Sequence, residues 1–178
     1  MIWDLDKLDR GHTKAGPGVA LQYAHQLIED GTPASLAEAA LLYASLLADP
    51  ALLAISPYRA EIQSLYGSLL CLQAQNAPNT GTTAPLLERA RLLLLAALGF
   101  RDRHTMPEAW ATTSANLALV YITRYTRTGD PVDVMSAHMA LDGCLEVYLS
   151  TDNAASANWV RSLRTYLVTT VERRRTPR

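Results

Sequence analysis

The stretch TGDPVDVMSAHMALDGCLEVY, residues 128–148, joins a turn signal to a helix-like pattern, and the chain contains two earlier versions of it. These are DGTPASLAEAALLYASLLAD and TGTTAPLLERARLLLLAALGF. When the three are aligned on Gly31, Gly81 and Gly129, they recur at intervals of 50 and 48 residues. A fixed period of this length indicates a repeat built from long helical hairpins.

The helix after each glycine carries the same apolar spacing. An alanine is followed four residues later by a bulky residue, and three residues after that by another apolar residue. Steps of four and three keep all three side chains on one helix face. The triplets are Ala39, Tyr43 and Leu46; Ala90, Leu94 and Ala97; and Ala137, Leu141 and Cys144.

The helix before each glycine repeats a different pattern, in which a small residue precedes a large one by three positions. A small side chain lets two helix backbones approach closely, and the bulky neighbour fills the adjacent groove. We therefore predict that these small residues lie at helix crossings. The pairs are Ala20 and Tyr23, Gly67 and Leu70, and Ala118 and Tyr121.

Helical periodicity covers nearly the whole chain, and strand-like alternation is almost absent. Breakers such as AGPG at 15–18 and TDNA at 151–154 separate the helical segments. The pattern predicts an all-α protein with about seven helices, over residues 18–29, 34–48, 58–76, 84–100, 107–127, 132–150 and 154–174.

Length and composition indicate one ordinary globular domain. The chain has 178 residues, of which 49% are hydrophobic and 19% charged. Its net charge of −1 favours neither nucleic acid nor membrane binding. The longest apolar run, 92–98, is far shorter than the roughly 20 residues that cross a bilayer, and the N-terminus does not resemble a signal peptide. We predict a cytoplasmic protein.

The third repeat, WATTSANLALVYITRYTRTGDPVDVMSAHMALDGCLEVY, resembles the long form of the tetratricopeptide repeat. In that family a small residue and an aromatic mark the first helix, and an alanine, a bulky residue and a small residue mark the second. The resemblance covers roughly residues 18–174. The period exceeds the family's usual one, Leu94 and Leu141 replace an aromatic, and Leu167 stands where a small residue is expected.

The resemblance implies a right-handed stack of antiparallel helical hairpins, an α-solenoid in which the last helix is a cap. The predicted division is an N-terminal segment 1–17, one repeat domain 18–174 and a basic tail 175–178. Long repeats of this kind are often found beside caspase-like proteases of the CHAT class in bacteria. The implied partner is therefore a protein or peptide, with a protease or effector protein as one class.

The same register predicts a partner-binding groove. The first helix of each hairpin is called here a first-type helix, and the helix paired with it a second helix. If Gly67 and Ala118 face the paired second helix, residues rotated away from them on the first-type helices face the groove. The alternative is that a neighbouring helix or the N-terminal segment closes this face. The predicted groove residues are Glu61, Ser64, Ser68 and Cys71 in the second repeat, and Thr112, Ala115, Asn116 and Leu119 in the third.

No motif for catalysis, metal binding or phosphate binding occurs in the chain. The i,i+4 pairs His25 with Glu29 and His138 with Asp142 offer two ligands each, which is too few for a site. We therefore expect no metal, no cofactor and no enzymatic activity. A site built from Cys71 and His104 remains the enzymatic alternative.

A structural homo-oligomer is the second hypothesis, ahead of the enzymatic one. In that arrangement the terminal helices would pack against copies of themselves. Trp3, Trp159 and the apolar residues of the last helix favour it.

Overall fold

A computed structural model describes residues 17–50, 56–78 and 81–175, which form helices and no strand. The predicted all-α class is thus confirmed. The predicted N-terminal segment and basic tail lie outside the described residues, apart from Pro17 and Arg175 at helix ends. The described helices are α1 Pro17–Asp30, α2 Pro33–Ala48, α3 Ser56–Asn76, α4 Thr83–Leu98, α5 Pro107–Thr128, α6 Pro131–Leu141, α7 Cys144–Ser150 and α8 Ala154–Arg175.

All seven predicted helices occur, but the prediction of one continuous helix over 132–150 is wrong. The segment is interrupted between α6 and α7, where Gly143 has a left-handed φ of +73°. The Arg103 guanidinium lies 2.9 Å from the place a Cβ of residue 143 would occupy. Apolar spacing continues across the interruption from Leu141 to Cys144, so periodicity alone could not reveal it.

The glycines that align the repeats do not share one conformation. Gly31 and Gly129 have φ values of +67° and +76°, which end the preceding helices in a left-handed turn, whereas Gly81 is not left-handed. After the left-handed glycines, the side chains of Thr32 and Asp130 accept first-turn backbone N–H groups at 3.1 and 2.9 Å. Two of the three repeat junctions therefore combine a glycine stop with a capped start.

Gly67 lies where α3 and α4 approach most tightly. A Cβ built on it would stand 2.7 Å from Leu94 Cγ and 3.1 Å from the Ala90 carbonyl oxygen. Only a residue without a side chain allows this separation, so the predicted role of Gly67 is confirmed. Ala118, its counterpart on α5, is completely buried.

The nine residues of the apolar triplets are all buried, as the spacing predicts. Each helix packs against the next along the chain, and α5 also packs against both α3 and α8. The buried side chains form two clusters, one centred on α1–α4 and one on α5–α8. Leu119, Tyr121 and Ala140 pack against both clusters and so join the two halves.

Within the described ranges, no helix combines the length and apolar character that a bilayer span requires.

The close crossing predicts that an added methyl group at Gly67 destabilises the protein, whereas one at Gly81 does not. Gly→Ala inside a helix normally stabilises by about 0.5–1 kcal/mol. At Gly67 the new methyl meets Leu94 and Ala90, so we expect Gly67→Ala to lower the free energy of unfolding by about 1–3 kcal/mol. Urea unfolding followed by circular dichroism measures the change.

Gly81→Ala is the matched control, because no atom of the described residues lies within 4 Å of a Cβ at that position. Its effect should stay within about 0.5 kcal/mol. A Gly67→Ala protein that is as stable as Gly81→Ala would show that α3 and α4 are not in close contact.

Candidate partner-binding site

The α3–α5 contact is a polar seam made of hydroxyl groups and an amide. Ser64 Oγ lies 3.2 Å from Thr113 Oγ1, and Gln75 Nε2 donates to Thr123 Oγ1 at 3.0 Å. Cys71 Sγ lies 3.7 Å from the same Thr123 oxygen. The two first-type helices are therefore linked side by side through polar groups at repeat spacing.

This seam covers much of the predicted groove. Ser64 and Ala115 are only 5% and 0% exposed, and Cys71 is also buried, so the prediction that they line an accessible face is wrong. The physical reason is that α5 packs directly beside α3, and α8 beside α5. Residues rotated away from the paired second helix meet the neighbouring first-type helix instead of solvent.

The remaining predicted groove residues are more accessible, and several of them bond to neighbouring side chains or carbonyls. Glu61 accepts a hydrogen bond from Arg101, and Ser68 donates to the Ser64 carbonyl at 2.9 Å. Thr112 Oγ1 lies 2.8 Å from the Tyr148 hydroxyl, on the side of α7. Asn116 and Leu119 are half-buried on α5.

Arg101 is a structural residue that the sequence analysis did not identify. It lies in the connection after α4, yet it is 7% exposed. Its guanidinium donates to the Ala109 carbonyl, Thr113 Oγ1 and Glu61, which ties the N-terminal parts of α3 and α5 together. In the sequence GFRDRHTMP it resembles an ordinary loop charge, so no local signal distinguishes it.

A cleft of about 550 Å³ opens near the C-terminal ends of the first-type helices. Its lining residues come from three first-type helices, α3, α5 and α8. None of its lining side chains is a carboxylate, a histidine or a thiol. The lining residues are Gln75, Thr123, Thr126, Arg127 and Tyr166.

Two arginines secure the helix ends around this cleft. Arg127 on α5 donates to the carbonyls of Ala74, Gln75 and Ala77, at 3.2, 3.4 and 3.4 Å, where α3 ends. Arg174 on α8 donates to the Thr126 carbonyl at 2.7 Å, near the end of α5. Each arginine thus satisfies carbonyls that lack an intrahelical partner, on the preceding first-type helix.

None of the cleft residues belongs to the predicted groove set. A signal was nevertheless present, because Gln75 and Thr123 are 48 residues apart and Arg127 and Arg174 are 47 apart, close to the repeat period. Polar residues that recur at the ends of first-type helices mark the places where those helices meet. The groove prediction instead chose residues nearer the middle of each first-type helix.

Both cysteines are buried in the packing between helices. Burial raises the pKa of the Cys71 and Cys144 thiols to about 11. Cys71 contacts Thr123, sixteen residues into α5, whereas His104 precedes the first residue of that helix. At about 1.5 Å per residue these positions are roughly 24 Å apart along α5, so the structure does not bring Cys71 and His104 together.

In the ranges that the structure describes, no three His, Cys, Asp or Glu side chains are placed to share a metal ion. His25 and His138 are both exposed.

The chain matches no family model, no curated protein and no solved structure. The resemblance to the tetratricopeptide repeat therefore rests on the residues and motifs quoted above.

Removal of the Arg127 guanidinium should weaken the seam. We expect Arg127→Gln to lower the free energy of unfolding by about 1 kcal/mol, because the carbonyls at the end of α3 lose a charged donor. Arg161→Gln is the control, since Arg161 bonds only the exposed Asn158 side chain among described residues, and should change stability by less than about 0.5 kcal/mol. If Arg127→Gln and Arg161→Gln lowered the free energy of unfolding in urea by the same amount, a capping role of Arg127 would be excluded.

The buried thiols predict slow alkylation. At about pH 8 a thiol with a pKa of about 11 is ionised to the order of 0.1%, and neither sulfur is accessible. Mass spectrometry should detect almost no iodoacetamide adduct on the folded protein and two adducts in concentrated urea. Rapid labelling of the folded protein at either cysteine would instead reveal an activated thiol and revive the enzymatic alternative.

Proposed function

We propose that this protein is a non-catalytic interaction module, a tetratricopeptide-like helical stack that binds a partner protein or peptide. The observation that carries the proposal is the cleft across α3, α5 and α8, because alternate helices line the recognition face in solenoids of this type. Its volume falls within the range typical of ligand sites, about 300–1,000 Å³.

The chemistry of the cleft supports binding rather than catalysis. Its side chains provide an amide, two threonine hydroxyls, a guanidinium and a phenol. Such groups donate and accept hydrogen bonds from a peptide backbone without activating a nucleophile. The thiols, which are the best nucleophiles of the described chain, are buried and do not line the cleft.

Tyr166 is the expected anchor for the partner. It lies on α8, is 48% exposed and forms one wall of the cleft. Tyrosine combines a large apolar face with a polar hydroxyl and is enriched among residues that dominate binding energy. A peptide segment in the cleft would contact this ring and the Thr126 side chain, which also lines the cleft. The tetratricopeptide resemblance adds a protease or effector protein as the expected class of partner.

The homo-oligomer hypothesis receives less support from the terminal helix. Apart from Tyr166 and Val168, the exposed positions of α8 are alanine or polar: Ala154, Ala155, Asn158, Arg161, Ser162, Thr165, Glu172, Arg173 and Arg174. A polar outer face is typical of a capping repeat that ends a solenoid. Light scattering after gel filtration should therefore give the mass of one chain, 19.5 kDa.

Two neighbouring substitutions on α8 test the proposed site. Affinity capture with mass spectrometry first identifies a partner, which is then purified for titration calorimetry. Tyr166→Arg fills the cleft and removes the aromatic surface, so we expect the dissociation constant to rise at least about tenfold. Thr165→Arg adds the same charge at an exposed position that does not line the cleft, and it should change the constant less than about twofold.

Both variants should melt near the wild-type temperature, because both positions are exposed. Equal affinities for Tyr166→Arg and wild type would place the partner elsewhere on the molecule. Equal losses in both variants would point to a general effect of positive charge rather than to the cleft.

A further inference from the structure

The described helix stack begins and ends with a first-type helix whose outer side is exposed. α1 packs on α2 at one end, and α8 packs on α5, α6 and α7 at the other. In the middle of the stack, the corresponding side of a first-type helix is covered by the next one, as α5 covers α3. The outer side of α1 exposes Val19, Gln22, His25, Gln26 and Glu29, and that of α8 exposes Asn158, Ser162, Thr165, Tyr166 and Arg173.

The outer side of α8 repeats the seam face of α3 at a fixed distance. Gly67 and Ala118 are 51 residues apart, and Arg127 and Arg174, which bond the preceding first-type helix in the same way, are 47 apart. The two steps, from α3 to α5 and from α5 to α8, together make 98 residues. The seam residues Ser64, Cys71 and Gln75 therefore have as counterparts Ser162, Thr169 and Arg173.

The outer side of α1 repeats the opposite face of the seam, which belongs to α5. Ala20 and Ala118 hold equivalent positions in the small–large pairs and are also 98 residues apart. The α5 residues Thr123 and Arg127, which complete the seam, therefore have as counterparts His25 and Glu29. The chain thus presents the two halves of its own α3–α5 seam at opposite ends of the stack.

The hydroxyl groups on α8 are arranged as acceptors, as in the seam. Thr123 donates its hydroxyl proton to a carbonyl of its own helix and accepts a hydrogen bond from Gln75. Ser162 and Thr169 likewise donate to carbonyls one turn earlier, each at 3.0 Å, so their oxygens retain acceptor capacity. The two exposed glutamines of α1 carry amide groups that can donate to such oxygens.

The two ends of the stack carry opposite charges. α1 contains Glu29 and Asp30 and no lysine or arginine, whereas α8 contains five arginines and one glutamate. First-type helices run parallel, because Arg127 near the end of α5 bonds carbonyls at the end of α3. In a continued stack, the acidic end of α1 would therefore lie beside the basic end of α8.

We propose that copies of this chain stack head to tail, with α8 of one copy beside α1 of the next. In the seam, Arg127 bonds the Gln75 carbonyl at 3.4 Å, so their counterparts Glu29 and Arg173 would be neighbours and form an ion pair. The contact joins two different surfaces, so it extends the stack instead of closing a two-fold dimer. A pairing of α8 with itself would place the arginines of two copies together.

The proposed contact depends on ionic strength and on chain concentration. It consists of exposed ion pairs and amide–hydroxyl bonds, without the apolar centre that stable interfaces bury. Salt screens such ion pairs, so single chains predominate in dilute solution at physiological ionic strength. Stacks form at low ionic strength and high chain concentration.

Sedimentation velocity over a range of chain concentrations, near pH 8 and at about 20 mM ionic strength, tests the proposal. We expect the sedimentation coefficient of the wild type to rise with concentration, and this rise to disappear at about 300 mM ionic strength. Arg173→Glu and Glu29→Arg each place like charges at the contact, so each should weaken association at least about tenfold. The double variant Arg173→Glu/Glu29→Arg should restore association, because it reverses the ion pair and keeps the net charge of the wild type.

Arg89→Glu is the matched control, because it changes the net charge as Arg173→Glu does, at an exposed position of α4. It should change the association constant less than about twofold. Wild-type chains that stay single at every concentration at low ionic strength would overturn the proposal. A double variant that associates as weakly as the single variants would do the same, and so would association that survives Glu29→Arg, since α8 alone would then carry it. These results are independent of the proposed function, because no partner is present in the measurement.

Discussion

The close approach of α3 and α4 at Gly67 is the constraint on which the arrangement of the helices depends. With Leu94 and the Ala90 carbonyl so near, any side chain at that position must push the two helices apart. Leu70 and Leu87, which lie on the same two helices, belong to the first hydrophobic cluster. A wider separation would move α4, and with it α5, which packs against both α3 and α4. The position of the cleft therefore depends on the absence of a side chain at Gly67.

The seam between first-type helices is polar, unlike the packing within each helix pair. Tight apolar packing joins the two helices of each pair, whereas α3 and α5 meet through serine, threonine and glutamine side chains with arginines at both ends. Buried polar groups stabilise little unless they are paired, but they specify which groups must lie opposite each other. Arg101 sets the register at one end of the seam and Arg127 at the other. The cleft opens where this seam ends and Tyr166 of α8 approaches.

Arg127 has a role in the fold and also borders the proposed site, because it bonds the end of α3 and lines the cleft. Its contacts with the end of α3 position it, and its side chain lines the cleft. The cleft residues thus offer polar groups and one guanidinium, while the two thiols are buried between helices.

The sequence by itself determined the helical class and the buried face of the helices that follow the aligned glycines, because both follow from spacing within a single helix. Ala39, Ala90 and Ala137 are buried as that spacing requires. Only the tertiary structure decided what covers the remaining faces of the helices. Ser64 and Ala115 are covered because neighbouring first-type helices pack directly against them, and Arg101 is buried although it lies in a connection. The interruption at Gly143 and the composition of the cleft depend on residues far apart in the chain, such as Arg103 and Tyr166. Spacing along one helix contains no information about which neighbour covers its second face, since that depends on how the pairs stack.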